Sequence, residues 1–181
     1  MPADPPAPSL DAWLADLRRR RGTVPGLDPR GPGAGARLLI LLETPGRSMD
    51  ASSVVTLDAP TGTARNLSRW LDEAGIDRAD ALVWNAVPWV IHAPGARTRA
   101  PRRTEIEAGV AELPGLLAHL PALRAVVLSG RAAARAADAV RASTDAPVLE
   151  MAHPSPVYVN TDPAIAERCR ATLRAAARAL R

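Results

Sequence analysis

Leu38-Leu39-Ile40-Leu41-Leu42 is a run of apolar residues that follows a Gly/Pro-rich connection ending at Arg37. A short run that is apolar at every position indicates a strand buried on both faces of a sheet. Three later segments have the same character and are also predicted as strands: Ala81 to Val87, Arg124 to Leu128, and Val148 to Met151. Continuous apolar strands of this kind are typical of a parallel sheet rather than of an antiparallel one.

Helical patterns occupy the intervals around these strands. Ser9 is predicted to cap a first helix that starts at Leu10 and ends in the arginines before Gly22. Further helices are predicted over Thr63 to Ala74, Glu105 to His119, Arg131 to Arg141, and Pro163 to Leu180. Strands that alternate with helices predict an α/β fold, a three-layer α/β/α sandwich with a central four-stranded parallel sheet. We expect one domain over residues 9–181, preceded by a flexible leader of residues 1–8.

The composition excludes several classes of protein. The chain has 181 residues and is 47% hydrophobic, which is enough to form the core of one domain. Its single cysteine, Cys169, rules out an internal disulfide and a cysteine-built metal cluster, and we expect no metal and no other cofactor. No apolar run approaches the roughly 18 residues that a membrane span needs, and no secretory signal is found. We expect a monomer in the cytoplasm.

The basic residues are unusual because all 23 of them are arginine. The net charge is +4 and the pI is about 10.7. Arginine suits phosphate, since its planar guanidinium donates two hydrogen bonds to two oxygens. A GC-rich genome, which favours Arg and Ala codons, explains the same bias. The charge therefore permits binding to nucleic acid without demonstrating it.

Polar residues follow each predicted strand at the point where the chain leaves the sheet. They are Glu43 to Gly46 after the first strand, Trp84 and Asn85 at the end of the second, Ser129 and Gly130 after the third, and His153 to Ser155 after the fourth. In open parallel sheets, ligands bind outside the carboxyl ends of the strands. We therefore expect all four segments to converge on one edge of the sheet.

Taken singly, three of these side chains have both a chemical and an ordinary explanation. Asn85 can offer a donor and an acceptor to the O4 and N3–H of a pyrimidine, or it can tie down a neighbouring loop. His153, held at a rigid turn by Pro154, can donate to an oxyanion or bond a backbone group. Glu43 can orient a water or stabilise a cation, or it can cap a helix or pair with an arginine.

Taken together, the segments resemble the motifs of the uracil-DNA glycosylase superfamily. Leu42 to Gly46 resembles the first motif in the Gly-Glu-Ala-Pro-Gly version of the iron–sulfur branch, Leu82 to Val87 resembles the strand with the uracil-reading Asn, and His153 to Pro156 matches the catalytic His-Pro-Ser-Pro loop. Val126 to Ala133 and Pro60 to Leu67 are similar to further elements of the family. The resemblance covers about residues 24–180 and is closest to a cluster-free, actinobacterial-type branch.

The resemblance implies a base-excision repair enzyme that flips uracil out of DNA and hydrolyses its N-glycosidic bond, leaving an abasic site. It implies that His153 stabilises charge at the uracil O2 and that Glu43 orients the water or stabilises the sugar cation. The implied base-binding residues are Asn85, Thr44, Gly46 and Trp84. The implied DNA-binding residues are Ser155 and Pro156 at a phosphate, Val157 and Tyr158 at the position of the duplex wedge, and Arg102 and Arg103 in a basic stretch. The implied partner is uracil-containing DNA, single- or double-stranded.

The sequence departs from the family pattern in three places. Thr44 stands where the best-known members have Asp, so Asp50 or Asp58 is an alternative to Glu43 as the residue that handles the water. Gly46 replaces the aromatic residue that blocks the methyl group of thymine. The chain has no Phe to stack on the flipped base, a position that Val54, Val55 or Trp84 can cover.

The sequence allows three other functions to be considered, of which excision of deaminated purines is the main alternative. Gly46 leaves room for deaminated purines such as hypoxanthine or xanthine. A non-catalytic or covalently capturing uracil-DNA-binding protein is disfavoured, because the Arg-Arg-Ile-His loop of the cross-linking branch is absent and Arg102-Arg103 is followed by Thr104-Glu105. A flavodoxin-like module that binds a small phosphate ligand is disfavoured because no Gly-rich loop opens the first helix.

Overall fold

The computed structural model of the protein describes residues 9–93 and 95–181, so the predicted leader of residues 1–8 lies outside the described residues. The strands are β1 (Gly26–Leu27), β2 (Leu38–Leu42), β3 (Val54–Val55), β4 (Ala81–Asn85), β5 (Ala125–Ser129) and β6 (Val148–Met151). The α-helices are α1 (Leu10–Arg21), α2 (Gly62–Ala74), α3 (Arg103–Val110), α4 (Leu113–Leu117), α5 (Arg131–Ala134), α6 (Ala137–Arg141), α7 (Pro156–Val159) and α8 (Pro163–Ala179). Two 3₁₀-helices cover Gly33–Gly35 and Arg78–Asp80.

Four parallel strands form the central sheet in the order β4-β2-β5-β6. The apolar run in β2 lies in the middle, where Ile40 is opposite Val83 of β4 and Val127 of β5. All three side chains are buried, as the continuous apolar pattern predicts. The α/β fold with a central four-stranded parallel sheet is confirmed.

Helices cover the sheet in two layers. In one layer, α8 packs against β5 and β6 and also contacts α2 and α7. In the other, α6 contacts β6 and α4, and α4 contacts α1. Gly115 of α4 allows a close approach to α1, because a Cβ at this position would lie 2.7 Å from Nε1 of Trp13. Among the described residues, no helix is both long and apolar enough to cross a membrane.

The ends of the long helices follow from local sequence. Ser9 caps α1 with a hydrogen bond from Ala12 N–H to its Oγ, and Thr61 caps α2 through Ala64 N–H in the same way. Gly75 ends α2 with a φ of 70°, in the left-handed conformation that glycine adopts most easily.

Several predicted boundaries were wrong. The helix expected over Glu105 to His119 is two helices, because Pro114 has no N–H to bond the carbonyl of Val110 and its ring crowds that carbonyl. The helix expected over Arg131 to Arg141 also divides in two, at a turn where Ala136 N–H bonds Ala133 O in 3₁₀ fashion.

The strand predicted over Ala81 to Val87 ends at Asn85. There α3 lies against the backbone just beyond the strand, and a Cβ on Gly109 would come within 2.2 Å of Ala86 O. The short parallel pair β1–β3 and the helix α7 were not predicted, because elements of two to four residues are too short to show a period.

Candidate active site

The carboxyl ends of the four central strands, with the residues that follow them, form one edge of the sheet, here called the rim. Glu43 directly follows β2, Asn85 is the last residue of β4, and Gly130 directly follows β5. His153 comes two residues after β6. Because the strands are parallel and in register, with Leu42 opposite Asn85, the rim brings these residues together as expected.

Gly130 separates Glu43 from His153 at their closest approach. Its φ of 94° and ψ of 169° define a backbone conformation that is essentially restricted to glycine. A Cβ at this position would lie 2.7 Å from Oε1 of Glu43 and 3.1 Å from Cβ of His153. The acid and the imidazole are therefore neighbours across a position that has no room for a side chain.

Glu43 is half-buried and is held by a backbone group. Its Oε1 accepts a hydrogen bond of 3.2 Å from the N–H of Ala132, in the first turn of α5. The helix-capping explanation of Glu43 therefore describes this contact correctly. The other carboxylate oxygen, Oε2, has no hydrogen bond within the described part of the chain, so Glu43 keeps one free oxygen at the rim.

His153 is held in the same manner. Its Nδ1 accepts a hydrogen bond of 3.2 Å from the N–H of Ser155. Burial lowers the pKa of His153, and the negative charge of Glu43 opposes this shift only in part. A neutral ring whose Nδ1 accepts must carry its proton on Nε2. His153 therefore offers one Nε2–H donor at the rim.

The turn that carries His153 is fixed from α2. Asn66 donates from Nδ2 to the carbonyl of Pro154 at 2.9 Å. Gly62, at the start of α2, lies so close to Pro156 that a Cβ would come within 2.3 Å of the ring. Asn66 and Gly62 both lie in Pro60 to Leu67, the segment that resembles the Pro-rich loop and helix start of the family. The sequence alone does not reveal what either residue contacts.

Asn85 is 2% exposed, and its side-chain amide forms no hydrogen bond within residues 9–93 and 95–181. The alternative in which Asn85 ties down a neighbouring loop is therefore not what the structure shows. Neither atom of this amide is among the fully buried side-chain polar atoms that lack a partner in the described chain, which indicates that the amide reaches the surface of the rim. The Asn85 amide is thus available to bond a ligand that enters from the rim.

The segment after Glu43 leaves space at the rim. Thr44 is half-buried and Pro45 is buried, whereas Gly46 is exposed. The nearest atom to a Cβ placed on Gly46 would be Cγ of Met49, at 3.8 Å. Chain neighbours aside, only Met49 among the described residues lies within 4 Å of the position that a side chain at Gly46 would start from.

Trp84 lies in the core rather than at a ligand site. It is 1% exposed, and its ring centroid is 6.3 Å from that of Trp13 in α1. This packing corrects the expectation that Trp84 contacts the base. Val55 is buried as well, and Val54 is half-buried in the β1–β3 pair.

The residues after His153 form two groups that differ in exposure. Ser155 and Pro156 are half-buried at the start of α7. Val157 is 77% exposed and Tyr158 is 47% exposed, which makes them the exposed large apolar side chains of the described chain. The Tyr158 ring leans towards His153, with 6.4 Å between ring centroids, whereas Val157 projects freely.

The basic stretch before α3 is only partly free. Arg99 forms an ion pair of 2.6 Å with Glu105, which lowers the pKa of that carboxyl to about 2. Arg103 pairs with Glu107 at 2.6 Å on the surface. Arg102 is exposed and has no ion pair among the described residues. Arg102 is therefore freer than Arg103 to contact phosphate.

Asp50 and Asp58 are both engaged elsewhere. Asp50 accepts hydrogen bonds from Ser52 and Ser53, which lower its pKa. Asp58 bonds Arg78, which lowers the pKa of this carboxyl as well. The backbone N–H groups of Ser52 and Ser53 also donate to Oδ1 of Asp50, so this carboxylate is fixed within its own exposed turn.

The residues 29–177 match the Uracil DNA glycosylase superfamily in a comparison with protein families. A comparison with curated proteins finds no match. The family match covers most of the chain and includes all four segments of the rim. The chain therefore belongs to the uracil-DNA glycosylase superfamily, a membership that supports a hydrolase acting as a DNA glycosylase in DNA repair.

Proposed function

We propose that this protein excises uracil from DNA by hydrolysing the N-glycosidic bond and leaving an abasic site. The observation that carries the proposal is that the same rim holds a neutral His153, with its proton on Nε2, and the Asn85 amide, and that neither Nε2 nor this amide has a hydrogen-bond partner among residues 9–93 and 95–181. Because a base inside a duplex is hidden in the stack, the nucleotide has to leave the stack to reach this rim.

Asn85 is proposed to read the uracil edge. An amide side chain can donate to O4 while accepting from N3–H, and cytosine presents the reverse pattern at these positions. A site built to form two hydrogen bonds rejects a base that leaves them unpaired, because its buried polar groups would then have no partner. Asn85 is therefore proposed to act in selectivity as well as in binding.

His153 is proposed to stabilise the leaving base. As the glycosidic bond breaks, negative charge develops on the uracil O2, and an aimed Nε2–H donor stabilises that charge more than it stabilises the bound substrate. Backbone N–H groups near Glu43 and Thr44 are proposed to assist. Since the His153 ring is oriented by Ser155 N–H before substrate arrives, little reorganisation is needed.

Glu43 is proposed to act on the sugar side of the bond. Its Oε1 is held by Ala132 N–H, which leaves Oε2 to orient a water or to face the developing oxocarbenium cation. Asp50 and Asp58 are less suited because both are exposed in the segment between β2 and α2, whereas Glu43 directly follows the strand β2. Ser155 and Arg102 are proposed to contact phosphates, and Val157 to serve as the wedge that replaces the flipped nucleotide in the stack.

The proposal is tested by uracil release from single-stranded, U·G and U·A oligonucleotides. His153→Ala should reduce the single-turnover rate by about 10²–10³-fold, the usual effect of removing an aimed oxyanion donor, and should still bind the DNA. His119→Ala is the matched control because His119 lies at the end of α4, against Trp13 in the helix layer. Release by His153→Ala at the wild-type rate would refute the assignment, and a gel-stable adduct would indicate capture instead of turnover.

A second candidate is excision of deaminated purines, and the open space at Gly46 favours it. A purine is wider than uracil, and within the described part of the chain only Met49, chain neighbours aside, comes within 4 Å of a Cβ placed on Gly46. Single-turnover assays with hypoxanthine and xanthine in the same sequence context decide between the two. Release of hypoxanthine faster than uracil would make the purine the preferred substrate.

A further inference from the structure

A cavity of about 670 Å³ lies beside the edge strand β6 and borders the rim. Glu43, Gly130 and His153 form the end of the cavity that faces the rim, whereas Asn85 is not among the residues that line it. The cavity therefore begins at the proposed catalytic groups Glu43 and His153 and extends along β6 and α8, whereas Asn85 lies outside its lining. We call it the β6 cavity.

The walls of the β6 cavity are mainly apolar. Ala134 of α5, Met151 of β6 and Ala171 of α8 contribute aliphatic surface, and the ring of Tyr158 lines it from α7. Small side chains on facing helices leave a slot, and an aromatic ring beside such a slot suits a planar ligand. Bases of single-stranded nucleic acids bind to proteins by stacking on aromatic and apolar surface of this kind.

Three charged side chains also line the β6 cavity. Arg131 has no ion pair within the described residues, and Arg168 has only a contact of 3.8 Å with Asp162. The third is Glu150, an exposed residue of β6. Guanidinium groups beside an apolar slot fit a ligand that carries both a base and a phosphate.

We propose that the β6 cavity binds the base of a nucleotide adjacent to the excised one in single-stranded DNA, with a preference for guanine. The proposal rests on the uracil-excision function proposed above. The position of Tyr158 supports it, because this residue lines the cavity and directly follows Val157, the exposed residue proposed above as the wedge. Guanine is favoured because its N1–H and 2-amino group donate side by side to a carboxylate such as Glu150, whereas thymine has no amino group.

The test uses single-stranded oligonucleotides with one uracil whose 5′ or 3′ neighbour is guanine, thymine or a base-free tetrahydrofuran. Wild-type protein should show kcat/KM about fivefold to tenfold higher with a guanine neighbour than with the base-free one, the lower range of base stacking on proteins. The effect should appear on one side of the uracil only. Binding of the same oligonucleotides is measured in parallel by fluorescence anisotropy.

Two variants separate the parts of the β6 cavity. Ala171→Leu adds bulk to the β6 cavity from an exposed position of α8 and should remove the dependence of kcat/KM on the neighbouring base. Ala118→Leu, which adds the same bulk at an exposed position after α4, is the control. Glu150→Gln should abolish the preference for guanine over thymine and keep the preference for a base over none. Asp145→Asn, in the loop before β6, is its charge-matched control.

The outcomes separate this inference from the proposed function. Uracil release that is independent of the neighbour, or a neighbour effect that survives Ala171→Leu, overturns the β6 cavity as a base site and leaves uracil excision standing. Neighbour-dependent binding that Ala171→Leu abolishes, without uracil release, supports the cavity and refutes excision. Absence of both release and neighbour-dependent binding overturns both.

Discussion

Gly130→Ala is expected to displace Glu43 and His153 without changing either residue, and so to lower both stability and the rate of uracil release. The backbone at Gly130 has φ 94° and ψ 169°, and a non-glycine residue in this region costs about 1–3 kcal/mol of stability. The new methyl would also lie 2.7 Å from Oε1 of Glu43 and 3.1 Å from Cβ of His153, so both must move. A displacement of about 1 Å in a catalytic group can cost on the order of 10²-fold in rate.

The assay compares urea unfolding with single-turnover uracil release. Gly22→Ala is the matched control, because Gly22 also has a positive φ of 83° but no atom lies within 4 Å of an added Cβ. Gly22→Ala should lose stability and keep its rate, whereas Gly130→Ala should lose both. Equal rates in the two variants, under conditions where both are folded, would refute the idea that Gly130 sets the spacing of Glu43 and His153.

Three further predictions concern the pH profile, the His153 turn and the core. Because burial lowers the pKa of His153 below its usual 6.5, the neutral ring and the uracil-release rate should persist as pH falls through 6.5. As pH falls, the His153 imidazole takes up a proton in the unfolded chain before it does so in the folded protein. The stability that the neutral His153 contributes is therefore present above pH 6.5 and is lost as pH falls through the folded pKa. His153→Gln should accordingly lose less free energy of unfolding on acidification, as measured by urea unfolding. Asn66→Ala removes the hydrogen bond to the Pro154 carbonyl, so it should lower the free energy of unfolding by about 1 kcal/mol and slow uracil release severalfold. An unchanged release rate would show that this contact from α2 does not position the His153 turn. Trp84→Ala should lower the free energy of unfolding by about 3–5 kcal/mol and leave the preference for uracil over thymine unchanged, because Trp84 packs on Trp13 in the core. A changed preference would indicate that Trp84 contacts the base.

The sheet could be predicted because its strands are buried on both faces. The run Leu38–Leu42 contains no polar residue, so burial alone specifies a central strand and the parallel class follows from the helices between strands. Strand ends were harder, since Ala86 and Val87 are as apolar as the strand before them. Gly109 of a distant helix lies against Ala86 just beyond β4, a contact that no local pattern reports.

The candidate site was predictable in position and not in its contacts. Strand ends place Glu43, Asn85 and His153 on one edge, and the sequence shows this directly. The hydrogen bonds that orient two of them come from the backbone of Ala132 and Ser155, whose side chains carry no signal of that role. Backbone donors are set by chain geometry, so residue type alone does not reveal them.

Glu43 and His153 share one structural device. In each, a backbone N–H donates to one atom of the side chain, Oε1 or Nδ1, and the other polar atom, Oε2 or Nε2, has no partner among the residues that the structure describes. Such a contact orients the group without adding charge near it. The amide N–H of Ser155 fixes the proton of the neutral ring on Nε2, while burial lowers the pKa of His153 against the opposing charge of Glu43.

Ser155→Pro tests this device at His153 directly. Ser155 has φ −62°, which matches the φ of proline, so the exchange removes the N–H that bonds His153 Nδ1 while the local backbone can be retained. Uracil release should fall about tenfold or more, since the ring loses the contact that selects its tautomer. Ser155→Ala is the control: it keeps the N–H and removes only the hydroxyl, so a loss there reports the proposed phosphate contact, seen as weaker DNA binding. If Ser155→Pro releases uracil as fast as Ser155→Ala, the backbone donor does not orient His153, and the neutral Nε2–H assignment loses its structural support.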